Sequence, residues 1–411
     1  IITYSYKIGV FNLKSNIPYI QYTYINEIDG TSILTLDEMI DDHNLFVPLE
    51  QYIDNIYGAI ESLKPHYSLN EAEPKRAFGT SILTYLNYIK NKNNQHYKRN
   101  TRLICFLAGL PNYGYGTLLS NRYLQCVEKD TNSDLLMHAY NDDYKKLAKD
   151  AVDLNVGIDL YIINIRQVFL DLGSLKDLIK CTGGNLLYYK DLNHCTLPRD
   201  LYQQFQKKLA FQCLLRIRTN IEYTIINTYS DIMNDDIYDD LYKFSICDTQ
   251  RSILFDFQHN NSSGFEQSKE LYTYIQIAFV YQYNQHSILR IFNKKIPIAK
   301  TWGDYYNALN MSVITATITN KAIAHTLSEG VYHTKLILED WIVNLMKCTN
   351  TIVNNSTTNN NNKNNDDEDA IYGLKQINTL KNIIHYIHAL IYSPLLYTIE
   401  EEDIDSNWYL N

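Results

Sequence analysis

The sequence lacks several patterns that would place it in a common functional class. Its 411 residues include seven cysteines but no Cys-x-x-Cys pair, which excludes the usual zinc-finger spacings from these residues. No uninterrupted apolar run reaches the roughly 18 residues of a membrane-spanning helix, and no signal peptide is recognisable. No glycine-rich segment has the spacing of a phosphate-binding loop, and no serine or cysteine lies in a known nucleophile motif. The residues therefore predict no enzyme, no catalytic residue and no cofactor.

Positive charge is also scarce. The chain has 37 Lys and Arg against 46 Asp and Glu, for a net charge of −9. Nucleic-acid binding needs clustered positive charge, so this balance argues against a general nucleic-acid binder. The cysteine count is odd and several cysteines lie in apolar runs, which predicts buried, reduced thiols in a cytosolic protein.

Hydrophobic periodicity divides the chain into three parts, which predicts a multidomain α/β, β and α protein. Residues 1–200 alternate strand and helix patterns, residues 201–298 mostly have the period of two of an antiparallel sheet, and residues 299–411 are helical. The tract Asn354–Asp369 is rich in Asn and Asp and almost free of apolar residues, so we expect a disordered insertion at about 350–370.

The α/β part carries two continuous apolar runs. Leu103–Leu110 and Val156–Asn164 are typical of strands that are covered on both faces. A short helix follows, for which Ser174 is the predicted N-cap and Gly183 with Gly184 the predicted stop. The glycine pair is therefore explained as a helix stop rather than as part of a nucleotide-binding loop.

Two further clusters predict no ligand. His385 and His388 have the i, i+3 spacing of metal ligands, but no third ligand lies at a suitable spacing, so we predict no metal site. Four aspartates crowd residues 235–240 without the alternation and closing glutamate of a calcium loop, which predicts a solvated acidic loop.

One constellation is chemically more specific. On a strand at Cys213–Asn220, side chains alternate, so Arg216 and Arg218 share one face while Leu215 and Ile217 share the other. The strand rise places the two guanidinium groups about 7 Å apart. Such a pair suits a peptide with two carboxylates, although solvated or locally paired surface arginines remain the alternative.

Six segments of the chain form a recognisable ordered set. They are "IITYSYKIGVFNLKS", "KRAFGTSILTYL", "AGLPNYGYGTL", the run from Asp143 to Tyr189 that contains "CTGGNLLYY", "LLRIRTN" and "IQIAFVYQYNQHSILRIFN". In this order the segments resemble a known family, the cargo-adaptor subunit of the COPII vesicle coat. The family's "FYNLKS", "TGG" and "RIRC" motifs have counterparts here in the same order, and the TGG segment followed by RIR is the most specific part.

The resemblance implies a von Willebrand A-like trunk, an antiparallel β-sandwich and a helical domain, with a zinc finger upstream that would hold zinc and a gelsolin-like domain downstream. It implies a non-enzymatic subunit, cytoplasmic and peripheral on the membrane of endoplasmic reticulum exit sites, that captures the cytosolic tails of cargo proteins. Its partners would be the GTPase-activating coat subunit and, indirectly, a Sar-type GTPase. The implied cargo site comprises Arg216, Arg218 and an apolar pocket residue, Phe279. The chain departs from the family where "RRIR" becomes "SILR", which keeps Arg290 alone.

Two alternatives stay open. The paralogous GTPase-activating subunit has the same architecture and uses an arginine finger from its helical domain. No arginine follows Arg290 in this chain, which favours the adaptor. The second alternative is an adhesion-type A domain. The cysteines, which are predicted to be reduced thiols, argue against it.

Overall fold

The fold is taken from a computed structural model of the chain. It describes residues 1–64, 73–93, 100–122, 136, 138–165, 168–191, 195–229, 232–235, 237–238, 240–260, 271–299, 304–305, 308–359 and 367–396, with the backbone alone for residues 42, 93, 348–359 and 367–377.

The strands of the described residues lie in the first three quarters of the chain and form four sheets, in the orders β1-β2-β3, β4-β5-β6, β13-β12-β7-β10-β9 and β11-β8. The strands are β1 (Ile2–Tyr4), β2 (Lys7–Asn12), β3 (Tyr19–Tyr24), β4 (Thr101–Leu107), β5 (Val156–Ile163), β6 (Leu186–Tyr189), β7 (Ala210–Thr219), β8 (Tyr223–Thr228), β9 (Met233–Asn234), β10 (Leu241–Cys247), β11 (Phe255–His259), β12 (Tyr272–Tyr283) and β13 (His286–Pro297).

Helices alternate with strands in the first part and follow one another in the last. They are α1 (Leu36–Met39), α2 (Asp42–Leu45), α3 (Ile53–Glu61), α4 (Phe78–Asn93), α5 (Asp143–Asp153), α6 (Leu172–Lys180), α7 (Leu197–Gln206), α8 (Met311–Glu329), α9 (Val331–Asn359) and α10 (Asp367–Ile391).

The trunk is built on the parallel sheet β4-β5-β6, whose faces are covered by helices such as α4, α5 and α6. All but the last residue of β5 are buried, as its apolar run predicts. The strand β4 differs from the prediction. Within the described chain it pairs with β5 alone, most of its residues are only half-buried, and Phe106 is 45% exposed. The burial of β4 is low because the strand lies at the end of the described sheet, a position that no sequence pattern reveals.

The helix α6 agrees with the prediction at its end and departs from it at its start. The N–H of Gly184 donates to the carbonyl oxygen of Ile179 at 3.0 Å, which closes the last turn. The N-cap is Asp171, in a left-handed conformation with φ 56°, and not Ser174. The Ser174 hydroxyl oxygen instead accepts a hydrogen bond from the N–H of Tyr140 at 2.7 Å. The Ser174 hydroxyl thus forms a tertiary hydrogen bond instead of the helix cap that local rules predict.

The trunk and the sandwich meet at the Thr182-Gly183-Gly184 turn after α6. The carbonyl oxygen of Thr182 accepts hydrogen bonds from the N–H groups of Ser245 and Ile246, at 3.1 and 3.0 Å. A Cβ atom on Gly183 would lie 2.0 Å from the carbonyl oxygen of Ile246. The glycine therefore does more than stop a helix: it allows two domains to touch backbone to backbone.

The sandwich packs the five-stranded sheet on the two-stranded sheet β11-β8. Its core contains Cys213, Leu215, Tyr242 and Phe244. The predicted antiparallel β region and the helical region after it are both present, so the predicted fold class of α/β trunk, β-sandwich and helical domain is confirmed.

The Asn- and Asp-rich tract departs in part from the expected disorder. Its ends, residues 354–359 and 367–369, continue α9 and begin α10, while residues 360–366 lie outside the described chain. Adding turns to an existing helix needs no new nucleation step, so polar residues can extend α9 without burying apolar side chains.

Candidate functional site

The two arginines lie on the outer face of the five-stranded sheet. Along β7, Leu215 and Ile217 are 7% and 3% exposed and point to the interior, while Arg216 is half-buried and Arg218 is exposed. The alternation predicted for this strand is therefore present, and both guanidinium groups project from one surface.

Pairing extends this surface over the neighbouring strands. Residues directly opposite one another in an antiparallel pair point to the same face. Arg216 is paired with Ala278 of β12 and Leu241 of β10, and Arg218 is paired with Gln276 of β12. Arg216 thus has a paired strand on either side, whereas in the described ladders Arg218 is paired on the β12 side alone.

The contacts that the described residues make with the two arginines come from neutral side chains. Arg218 Nη1 donates to Gln276 Oε1 at 3.2 Å, and Gln276 Nε2 donates to Asn293 Oδ1 at 2.9 Å. Arg216 Cζ lies 5.8 Å from the ring centroid of Tyr238. Neither guanidinium forms an ion pair with a carboxylate among the described residues, so both charges are available to an anionic ligand.

Phe279 does not belong to this surface. It is paired with Leu215, faces the sandwich core, and stacks on Phe244 with ring centroids 6.1 Å apart and on Tyr281 at 5.0 Å. The structure therefore does not bring Phe279 together with Arg216 and Arg218 on one surface. The side of β12 that faces outward depends on the pairing register, and that register places the even-numbered residues outside.

An apolar strip that the sequence did not single out lies beside the arginines on the outer face. It consists of Leu214, Val280, Leu289 and Ile291, which the register brings to neighbouring positions on β7, β12 and β13. Leu214, Leu289 and Ile291 are 36%, 58% and 54% exposed. The period of two within each strand was the available signal, but it does not say which strands adjoin.

The other sequence candidates do not form a ligand site. In the described ranges no group of three or more His, Cys, Asp or Glu side chains is arranged for a metal. The ring of His388 packs against Tyr392, with centroids 4.9 Å apart. A Cβ atom on Gly114 of the "NYGYG" segment would lie 2.2 Å from Thr80 Oγ1, so this glycine serves close packing. No helix in the described residues is long and apolar enough to cross a membrane.

The chain is thus a multidomain protein with three parts: a parallel α/β trunk, a β-sandwich joined to it through a glycine turn, and helices that follow the sandwich. Residues 1–209 match the Sec23/Sec24 trunk domain, and residues 210–299 match the Sec23/Sec24 beta-sandwich domain. The chain belongs to the Sec23/Sec24 family. The resemblance to a COPII coat subunit is thereby confirmed.

Relatives carry both names of the family. Protein transport protein SEC23 D of Arabidopsis thaliana is 28% identical over 98% of this chain and 58% of its own length. Protein transport protein SEC24 of Scheffersomyces stipitis is 23% identical over 83% of this chain and 37% of its own length. The human COPII-coat protein Sec24c has the same fold, with a TM-score of 0.73 at 15% identity over 100% of this chain and 50% of that one. The chain thus spans about half the length of the relatives it matches.

Proposed function

We propose that this coat subunit of vesicle transport is a non-enzymatic cargo adaptor. It captures acidic sorting signals in the cytosolic tails of membrane proteins that leave the endoplasmic reticulum for the Golgi. The observation that carries the proposal is the outer face of the sandwich, where Arg216 and Arg218 project side by side and make no ion pair with a described carboxylate.

The chemistry of the face fits a peptide with two acids around an aliphatic residue. Guanidinium groups bind carboxylates through paired, charge-assisted hydrogen bonds. The apolar strip beside them offers Leu214 and Val280 to the aliphatic side chain. An extended peptide can therefore satisfy both kinds of contact within the area of three strands.

The remaining partners follow from the same assignment. The trunk pairs with the GTPase-activating subunit of the inner coat, and through it with a Sar-type GTPase. The assembly lies peripherally on the membrane at endoplasmic reticulum exit sites. The names of the relatives, a protein transport protein and a COPII-coat protein, support this setting.

The GTPase-activating subunit is the second candidate, because the relative at 28% identity is named SEC23 D. An arginine finger from the helical region is excluded within this chain, since no arginine follows Arg290. Stimulation of GTP hydrolysis by a Sar-type GTPase, measured with this subunit alone and with its partner absent, separates the two. We expect none, and clear stimulation would reverse the assignment.

The test of cargo capture is the double substitution Arg216→Ala with Arg218→Ala in the full-length protein. A hydrogen bond to a charged group contributes about 1.5–3 kcal/mol, so the affinity for a synthetic Asp-Ile-Glu peptide should fall about ten-fold or more. Arg290→Ala is the matched control, because Arg290 pairs with Phe279 and so projects from the opposite side of the sheet. Fluorescence anisotropy measures binding and circular dichroism checks the fold. Equal affinity of the double variant and the wild type would refute the site.

A further inference from the structure

Tyr238, in the acidic segment between β9 and β10, lies against the arginine face. The sequence of this segment, "DDIYDD" at residues 235–240, has four aspartates around one aliphatic and one aromatic residue. Ile237 and Tyr238 are 81% and 54% exposed. Such exposure of two large side chains is not explained by packing in the sandwich core.

The described part of the loop has a defined conformation. Asp235 Oδ1 accepts hydrogen bonds from the N–H groups of Ile237 and Tyr238, at 2.9 and 3.1 Å. The other carboxylate oxygen of Asp235 forms an ion pair with Lys243 of β10, whose side chain points to the same outer face as Leu214. These contacts fix the turn that presents Tyr238.

The fixed turn places an aromatic ring beside one of the two proposed cargo-binding charges. The ring centroid of Tyr238 lies 5.8 Å from Arg216 Cζ, within the range of a cation–π contact. Arg218, two residues along the strand, is exposed, and in the part of the chain that the structure describes it contacts Gln276 rather than an aromatic ring. Arg216 is also flanked by Leu241 of β10, whereas the described β10 ladder does not reach Arg218.

We propose that Tyr238 is an intramolecular cover of Arg216, which an acidic peptide must displace in order to use both arginines. The inference rests on the proposed function and adds its regulation: the chain carries its own competitor for the site. A single exposed cation–π contact is weak, so an acidic peptide can displace the ring without unfolding the sandwich.

The test has one arm that needs no cargo. In the full-length protein, the rate at which phenylglyoxal modifies Arg216 is followed by peptide mass spectrometry. Tyr238→Ala should raise that rate about two- to five-fold, the factor that corresponds to an exposed cation–π contact. Tyr238→Phe keeps the ring and should behave as wild type. Tyr57→Ala removes a similarly exposed tyrosine from α3 and should change nothing, and Arg290 serves as an internal reference.

The second arm measures binding of the Asp-Ile-Glu peptide to the same variants. Tyr238→Ala should bind it about two- to five-fold more tightly than wild type. An unchanged modification rate of Arg216 in Tyr238→Ala overturns the cover, whether or not the peptide binds. Weaker peptide binding by that variant overturns it too, because Tyr238 would then be part of the site. If Arg216 of Tyr238→Ala is modified faster but no variant binds the peptide, the result supports the role of Tyr238 as a cover and refutes the proposed cargo binding.

Discussion

Substitution of Gly183 by alanine should loosen the joint between the trunk and the β-sandwich. Gly183 has a φ of +85°, which L-residues with a Cβ atom rarely adopt. A new Cβ atom would lie 2.0 Å from the carbonyl oxygen of Ile246, where ordinary contact begins at 3.4 Å. That oxygen cannot easily move, because Ile246 is held in the ladder between β10 and β7 and its N–H donates to Thr182.

The size of the effect follows from two terms. A left-handed conformation costs a residue with a Cβ atom about 1–2 kcal/mol. Forcing an extra carbon into a filled site costs typically about 1–3 kcal/mol. Gly183→Ala should therefore destabilise the joint by about 2–5 kcal/mol. Gly58→Ala is the matched control: Gly58 lies in α3 with its nearest atom at 3.7 Å, so alanine fits there and should stabilise the helix by up to about 1 kcal/mol.

Hydrogen exchange is the suitable assay, because a multidomain chain need not unfold in one step. The amides of Ser245 and Ile246 both donate to the carbonyl oxygen of Thr182. In Gly183→Ala their protection should fall strongly, whereas Gly58→Ala should leave it unchanged. If both variants protect these two amides as well as wild type does, the close backbone approach at this turn is wrong.

Two further substitutions test the interior. Phe279→Ala should lower the stability of the sandwich by at most about 3 kcal/mol, because the ring is only half-buried. The affinity for an acidic peptide should stay unchanged. If anisotropy shows a loss of affinity while urea denaturation shows unchanged stability, Phe279 belongs to the binding site. Burial raises the pKa of Tyr161 from 10.0 to about 12. The neutral ring is favoured in the folded state, so its stabilisation is intact below about pH 10 and lost as the pH rises through about 12. Tyr161→Phe keeps the ring that stacks on Phe106 and should flatten the alkaline fall of the urea midpoint, and an equal fall in both proteins would contradict this assignment.

Local patterns were sufficient for much of the fold. The period of two in residues 210–298 indicated antiparallel strands, and the apolar run at Val156–Asn164 indicated a buried strand. The alternation along β7 also placed Arg216 and Arg218 together on one face. All three depend on neighbours within one element, and the sequence contains that information directly.

Tertiary structure decided how these elements combine. Which side of β12 faces the core depends on its register with β7, and a shift of one residue would put Phe279 on the outer face in place of Val280. The placement of Tyr238 over Arg216 depends on a loop held by Lys243 from another strand. The role of Gly183 depends on a contact with Ile246, more than sixty residues later in the chain. Periodicity fixes the faces of a single element, but contacts between elements exist only once the strands are paired and the domains are packed.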